Sequence, residues 1–552
     1  MRVVVLGGYG VFGSLLTALL IRDGHEVWIA GRDAAKAAAC AARLGARPLT
    51  VDHLRDPSRI LEAAPQAVID AGGPFQDYGA DPYRIARFCI ENDADYFDLS
   101  DDADFTAGIA ALDEAARAAG RRVLSGASSV PGLSSSVASE LAAGLDEVTL
   151  IETAILPGNR APRGRSVIAS ILGRVGRPCP VWRGCLWREL RCWSARRVYR
   201  LAPGLDRAAY FIGVPDTVLF PAFFSARSVL FRAGMELGIL NAALRGLAVL
   251  QGKGLLPFIG SLRAPAHWIA SRLEGLGSDR GAMVVDVTGP KDGVPVRRRW
   301  RLLAEAGEGP FIPGVMIRAL LRRIDRIPPG ARPCLAEATL EEAEQAMSDL
   351  AISTAREETA RPSLFQAALS EAWPDLDTPI QRLHAVQDVL SFCGTASVKR
   401  GTGVIARLAA WVFGFPLPGE NVPVTVTLTR TEHGETWERN FAGRTFRSVC
   451  SRAQSPSRYR ERFGWFVYEL ELSVKGGSLC FRVRRGWFLD LPIPQLLLPK
   501  SDSREFTAEG LFHFDVALSA PLGLGLIVHY RGSLRPEEDP GGGQWPPTGC
   551  NG

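Results

Sequence analysis

The sequence predicts an α/β protein. It reads as a doubly wound parallel sheet, then a mixed α/β second domain, then a β-rich (α+β) domain at the C-terminal end. Three observations predict this. Short, wholly apolar runs alternate with helical stretches over residues 1–128, which is the pattern of a parallel sheet covered on both faces. A glycine turn follows the first run and opens a helix. In the last third, apolar or alternating runs bounded by turn residues replace the helical pattern.

In the first section the strands are expected at Val3–Leu6, Val27–Ala30, Pro48–Val51, Ala67–Ala71, Tyr96–Leu99 and Arg122–Leu124. Helices are expected at Gly13–Asp23, Ala34–Leu44, Pro57–Ala64, Pro82–Asn92 and Phe105–Ala119. Right-handed crossovers make such an alternation doubly wound. Residues 129–348 mix strands (Val148–Ala154, Gly281–Thr288, Arg298–Ala304) with helices (Ser228–Gln251, Leu340–Asp349). The charged stretch Ser353–Arg361 reads as a linker to a third domain at 362–535. There Val422–Thr431, Gly434–Phe441, Trp465–Val474, Ser478–Arg484, Leu511–Leu518 and Gly525–Tyr530 suggest an antiparallel sheet or barrel. The Pro- and Gly-rich tail 536–552 reads as disordered.

Composition narrows the function classes. A chain of 552 residues exceeds what one core supports and divides into several domains. Net charge is +5 from 64 basic and 59 acidic residues. With no basic stripe interleaved with aromatics, nucleic acid is set aside as a partner. The ten cysteines are scattered, without the short gaps of zinc sites, so no metal is expected and free thiols in a reducing cytoplasm are. The first residues lack a secretory signal. No uncharged apolar stretch reaches the ~20 residues of a membrane span. Residues 217–251, interrupted by Arg227, Arg232, Glu236 and Arg245, are open to two readings: a buried helix pair, or an amphipathic surface for peripheral membrane contact.

The sharpest motif is Gly7-Gly8-Tyr9-Gly10-Val11-Phe12-Gly13. Gly8, Gly10 and Gly13 fit the G-x-G-x-x-G spacing of a Rossmann dinucleotide site between strand and helix. Gly8 is assigned the tight turn, Gly10 the close approach of a pyrophosphate, and Gly13 the packing of helix on strand. The helix start adds free amides and a positive dipole end. The second strand selects the cofactor. Where an NAD site usually carries an acid, Ala30-Gly31 leads into Arg32-Asp33, with Lys36 one turn on. Arg32 and Lys36 suit a 2′-phosphate and favour NADP over NAD, unless Arg32 is only a solvated helix-start charge. Asp52 is either an adenine contact or a cap. The loop Gly72-Gly73-Pro74-Phe75 after the fourth strand is placed beside the nicotinamide ribose.

These residues carry a resemblance. The glycine turn, Ala30-Gly31-Arg32, Gly73-Pro74-Phe75 with Tyr78-Gly79, Tyr96-Phe97-Asp98-Leu99 and Pro131-Gly132-Leu133 resemble the saccharopine dehydrogenase-like oxidoreductases. The likeness continues through Trp193-Ser194, Gly281-Ala282-Met283, Gly309-Pro310 and Pro329-Gly330-Ala331. The resemblance implies a cleft-covering middle domain and NADP-dependent hydride transfer. No convergent set of cations for a dicarboxylic substrate is apparent, and the Trp-rich stretch Val181–Ala233 suits a hydrophobic carbonyl, imine or enoyl small molecule. The third domain resembles an uncharacterised family fused to such enzymes, through Trp437-Glu438-Arg439, Phe441, Gly443-Arg444-Thr445-Phe446, Glu461-Arg462-Phe463-Gly464, Pro499, Phe514-Asp515 and Tyr530-Arg531-Gly532. Arg439, Arg444 and Glu461 either line a ligand cup or pair on the sheet's surface, and the surface reading is preferred.

Hydride chemistry needs a proton donor. No Tyr-x-x-x-Lys, Gly-x-Ser-x-Gly or His-Glu-x-x-His occurs in a fitting place. Tyr78, then Tyr96 and Asp98, are the candidates, and each serves equally as a packing or capping residue. The competing reading is a non-catalytic dinucleotide-binding protein whose C-terminal domain binds lipid or a partner. A homodimer is an open expectation.

Overall fold

The computed structural model describes residues 1–162, 171–255 and 275–539, with 265, 268–269 and 272–273 between the last two stretches. The first sheet is built from β1 (Arg2–Leu6), β2 (Glu26–Gly31), β3 (Arg47–Thr50), β4 (Ala67–Asp70), β5 (Asp95–Asp98) and β6 (Arg122–Ser125). From one edge its order is β3-β2-β1-β4-β5-β6, all parallel. β1 lies in the middle, and Val3, Val4, Val5 and Leu6 have no exposed surface. This is a doubly wound Rossmann sheet. Helices α1 (Val11–Arg22) and α2 (Ala34–Leu44) follow β1 and β2. A seventh parallel strand, Gly330–Pro333, pairs with β6, so the chain returns to the first sheet after building most of the second.

The second sheet is mixed and has seven strands. Its order is Ser194–Ala202, Leu205–Phe211, Val229–Ala233, Leu150–Leu156, Gly281–Lys291, Val294–Ala304, Ile352–Ala360. Two expectations are corrected here. The stretch Ser353–Arg361 is not a linker: Ile352–Ala360 forms an edge strand paired with Val294–Ala304. Its Arg, Glu and Thr residues suit an edge, which must stay polar. The helix expected at Ser228–Gln251 is divided. Val229–Ala233, β-branched and aromatic, enters the sheet parallel to Leu150–Leu156, and helix Gly238–Gly252 follows. Only Asn241 and Ala248 of that helix are buried.

The third domain is a closed up-and-down barrel of ten antiparallel strands. They are Val389–Arg400, Gly419–Thr431, Gly434–Phe441, Arg444–Arg452, Arg458–Phe463, Phe466–Lys475, Ser478–Phe488, Lys500–Ala508, Leu511–Ser519 and Leu526–Pro536. Each pairs with the next, and the last closes on the first. Closure removes exposed edges. Arg444–Arg452 escapes an apolar-face search because Ser448 is buried between Phe446 and Cys450 on the inner face while Val449 faces out.

The preferred surface reading of the barrel's charges is also corrected. Arg439 and Glu461 are mostly buried, their side chains only 14% and 8% exposed, and pair at 3.2 Å. Glu461 also accepts from Ser448 (2.6 Å) and Tyr459 (3.1 Å), and the Arg439 guanidinium lies over Trp437 at 4.8 Å. Arg444 instead donates to the Gly414 carbonyl. The start of the expected disordered tail is ordered through Asp539: the Glu537 and Asp539 amides donate to the Ser391 and Cys185 carbonyls. Residues 540–552 lie outside the described residues.

Candidate functional site

β1 delivers the chain into Gly7-Gly8-Tyr9-Gly10. The left-handed residue is Gly7 (φ +67), so the tight turn belongs to Gly7 and not to Gly8. A Cβ on Gly7 would lie 2.8 Å from Gly72 Cα, and one on Gly8 2.8 Å from the Val5 carbonyl. A Cβ on Gly13 would collide with the Gly7 carbonyl. Gly10 is the N-cap of α1, with no side chain capping the helix. Its absent Cβ would meet only the Gly7 oxygen, at 3.0 Å. The first-turn amides, at Val11, Phe12 and Gly13, are thus left without a side-chain acceptor at the positive end of the helix dipole. The Tyr9 ring lies on Gly31, its Cζ 2.8 Å from where a Cβ would stand, and its hydroxyl accepts from the Asp33 amide (3.3 Å).

Asp33 caps α2, accepting from the Lys36 amide (3.0 Å), and pairs with the Lys36 ammonium (3.2 Å). Lys36 is therefore neutralised at home. Arg32 is exposed and has no carboxylate partner among the described residues. Asp52 sits half-exposed at the end of the β3 loop, 3.7 Å from Arg55.

β4 and β5 end side by side in Asp70 and Asp98, which are paired in register and fully buried. Asp70 accepts from the Gly72 amide (2.9 Å) and from the Tyr78 hydroxyl (3.0 Å). Burial raises the Asp70 carboxyl above its ordinary value. Asp98 accepts from the Ser100 and Gly126 amides and the Ser125 hydroxyl. Burial pushes Asp98 up to about 7, and its second oxygen has no partner among the described residues. Gly72 and Gly73, half-buried, lay the loop against the glycine turn; half-buried Pro74 leads into Phe75, which packs on Tyr78 (5.2 Å) and Phe105 (5.0 Å). Of the three proton-donor candidates, only Tyr78 stands on this loop, and its hydroxyl is held by Asp70. Tyr96, two residues before Asp98 and on the same face of its strand, is buried deeper, in a core with Val4, Val68 and Val123.

Facing this floor, the second domain supplies two features. Helix Pro215–Phe223 packs against 103–108 and 129–133 and carries Asp216, which is fully buried. The hydroxyls of Ser134 and Thr153 face it, and burial pushes it up to about 7. The unfolded value is near 3.9, so this group's stability contribution is intact below about pH 4 and is lost as pH rises to about 7. Asp216→Asn is expected to flatten that part of the Tm-against-pH profile. An unchanged slope in the variant would show that Asp216 is not the group responsible.

The second feature is a cavity of about 400 Å³ between helix Gly238–Gly252, the turn that bears Trp193 and the strand that bears Tyr210. The two rings stack with centroids 6.0 Å apart. Trp193 is 2% exposed, and its Nε1 has no partner among the described residues. Arg191, Arg196, Arg245 and Lys253 are exposed in the lining, together with Ala195, Val249 and Gly252. Val130, from the loop after β6, packs in the same apolar cluster as Trp193. Cys192, also in the lining, lies 2.6 Å (Sγ to Sγ) from Cys179.

Comparison with known proteins settles the first domain. Residues 3–124 match the family model described as saccharopine dehydrogenase NADP binding domain. The first domain is of the saccharopine dehydrogenase nicotinamide-nucleotide-binding type. Residues 376–534 match a domain of unknown function (DUF4166). No curated protein matches the chain. Among solved structures, saccharopine dehydrogenase (L-Glu forming) from Saccharomyces cerevisiae is 16% identical, covers 65% of this chain and 99% of its own, and has a TM-score of 0.48. Homospermidine synthase from Legionella pneumophila, solved with NAD, is 12% identical over 65% of this chain and 92% of its own, with a TM-score of 0.44.

In the saccharopine dehydrogenase-type domain, the glycine turn, Arg32 and the β4 loop come together as expected at the carboxyl ends of the strands. Asp70 escaped attention because an acid ending an apolar strand reads as a boundary. Asp216 carried no signal, since an acid in the first turn of a helix is ordinary capping chemistry. The four cations around Trp193 come from a hairpin and from a helix some fifty residues on, and only folding brings them together.

Proposed function

We propose that the protein is an NADP-dependent oxidoreductase that transfers a hydride to or from an apolar carbonyl, imine or enoyl substrate carrying an acidic group. The observation that carries the cofactor assignment is the uncapped start of α1 beside an unpaired Arg32. The glycine turn and first-turn amides would hold the pyrophosphate, and Arg32 the 2′-phosphate, with Lys36 adding weaker attraction because Asp33 already pairs with it. The loop 72–75 would border the nicotinamide, where the bound cofactor supplies or accepts the hydride. Tyr78, oriented by Asp70, holds the proton nearest that loop.

The Trp193 cavity supports the substrate class. Its stacked aromatic wall suits an apolar body and its cationic rim an acid group, which refines the wholly hydrophobic substrate expected from sequence. Pockets of this size hold small-molecule ligands.

Calorimetric titration tests the cofactor. NADPH is expected to bind at least ten-fold more tightly than NADH. Arg32→Ala is expected to weaken NADPH about ten- to hundred-fold, the worth of a charge-assisted contact, while leaving NADH unchanged. Equal loss for both nucleotides would assign Arg32 another role. With cofactor bound, oxidation of NADPH by apolar carbonyl compounds with and without a carboxylate tests the substrate class.

A further inference from the structure

An up-and-down barrel sends alternate connections to the same end, and here the two ends differ in chemistry. At one end the turns are Glu432-His433, 453–457, Gly476-Gly477 and Glu509-Gly510, without a Leu, Ile, Val, Phe or Trp among them. Helices Leu364–Leu369 and Thr378–His384 cover this end: the Asp377 amide donates to Gly477 and the Ser457 amide to Ala368, both at 3.0 Å. It also joins the second domain, through Arg183 with Asp388 (2.5 Å) and Arg188 with Ser391 (2.6 Å).

The opposite end therefore points away from the rest of the chain. Its connections are 401–418, 442–443, 464–465, 489–499 and 520–525, in which Arg407 and Asp490 are the only charged residues. They expose large apolar side chains: Leu408, Trp411 (76%), Trp465 (68%), Leu491, Leu496 (77%) and Leu522. The segments adjoin one another. Phe413 lies 5.2 Å from Phe466, the Leu489 amide donates to Trp465, and turn 521–523 packs on 495–497. Behind the tips stand Lys399, Arg400, Arg444, Arg462 and Lys500, against two acids, Glu420 and Asp490, the latter 4.0 Å from Arg462.

We propose that this end of the barrel docks on a lipid bilayer containing anionic lipids. Apolar tips with exposed tryptophans and a cationic collar are the composition that sits in a membrane interface, rings and leucines among the upper acyl chains and cations at the headgroups. Charge excludes a second copy of this chain as the better fit, because a two-fold contact would set one cationic collar against another. The tips are adjoining hairpin ends and the short helix Val404–Val412, and a fluid surface accepts these without a shaped partner. Among the described residues no helix is long and apolar enough to cross a membrane; the proposed contact is made by the end of the barrel. The inference stands apart from the oxidoreductase reading.

The test is flotation of the full chain with vesicles of phosphatidylcholine alone or with a third phosphatidylglycerol. Co-flotation is expected with the anionic vesicles and a decline with added salt. The double variant Trp411→Ser, Leu496→Ser is expected to lose at least ten-fold in bound fraction while its circular dichroism, β-sheet signal included, and its NADPH titration stay as in the wild type, which shows that barrel and cofactor domain are both folded. Tryptophan emission of the wild type should shift to the blue on anionic vesicles, and less so in Trp411→Phe. Flotation of the double variant at wild-type level, no flotation with either composition, or a wild-type dimer dissolved by the same substitutions would each overturn the proposal.

Discussion

Gly10→Asp is expected to abolish measurable binding of NADPH and to leave the protein as stable as before, or slightly more so. The two halves of that result have one cause. Gly10 has extended backbone (φ −72, ψ 173), open to any residue, and a Cβ there meets only one oxygen, at 3.0 Å. As the N-cap of α1 it has no side chain to offer the helix. Aspartate is a preferred N-cap, worth a few tenths of a kcal/mol over glycine, so its carboxylate would take the amides proposed for the pyrophosphate. The same carboxylate would repel the phosphates at contact range. A loss of at least a hundred-fold in affinity by calorimetry, with Tm equal or raised, is the expected pair of readings. A variant that binds NADPH like the wild type would sink the cofactor site, whereas a lowered Tm would show that Gly10 has a backbone role the geometry does not reveal.

The second large effect concerns the joint between the first two domains. Arg318, on helix Ile312–Arg322, is 4% exposed. It donates to both oxygens of Asp23 (2.9 and 2.8 Å), to Asp349 (2.5 Å) and to the Ala346 carbonyl (2.9 Å). Asp23 is the C-cap of α1, so this guanidinium pins the cofactor helix to the second domain. Arg318→Met keeps much of the side-chain volume and leaves the mostly buried Asp23 with only the more exposed Arg322 as partner. Removing one member of such a pair costs about 3–5 kcal/mol, seen as a marked drop in the denaturant midpoint.

The pH dependence gives an independent check. Burial alone would raise the Asp23 carboxyl, but hydrogen bonds and charge from Arg318 and Arg322 hold it at about 2. Its stabilisation is therefore present above about pH 4 and is lost as pH falls toward 2. The gap between wild type and Arg318→Met should narrow over that acid range. A gap that stays constant from pH 6 to 3 would point to lost packing instead.

Much of the first domain was legible because its signals are local. An apolar strand, a glycine turn and a helix start are set by neighbouring residues, and the Gly7–Gly13 segment has one low-strain way to fold between them. Even there, sequence spacing gave the turn to Gly8 and the backbone gives it to Gly7, since only contacts with Val5 and Gly72 tell the two apart. The barrel was less legible. Strands such as Gly434–Phe441 alternate visibly, but Arg444–Arg452 places Ser448 inside and Val449 outside. Ser448 is held inside by Glu461 of the neighbouring strand, which accepts from its hydroxyl at 2.6 Å.

By itself the sequence determined the Rossmann order, the cofactor turn with Arg32 beside it, and the β-rich character of the last domain, because each depends on residues within a turn or two of one another. The tertiary structure alone decided that Ser353–Arg361 is a sheet edge, that Asp70 and Asp98 share a floor, that Asp216 faces Ser134 and Thr153, and that the exposed tryptophans and leucines of the barrel gather at one end. Those facts depend on pairs far apart in the chain, and hydrophobic periodicity says which residues leave water without saying which of them meet.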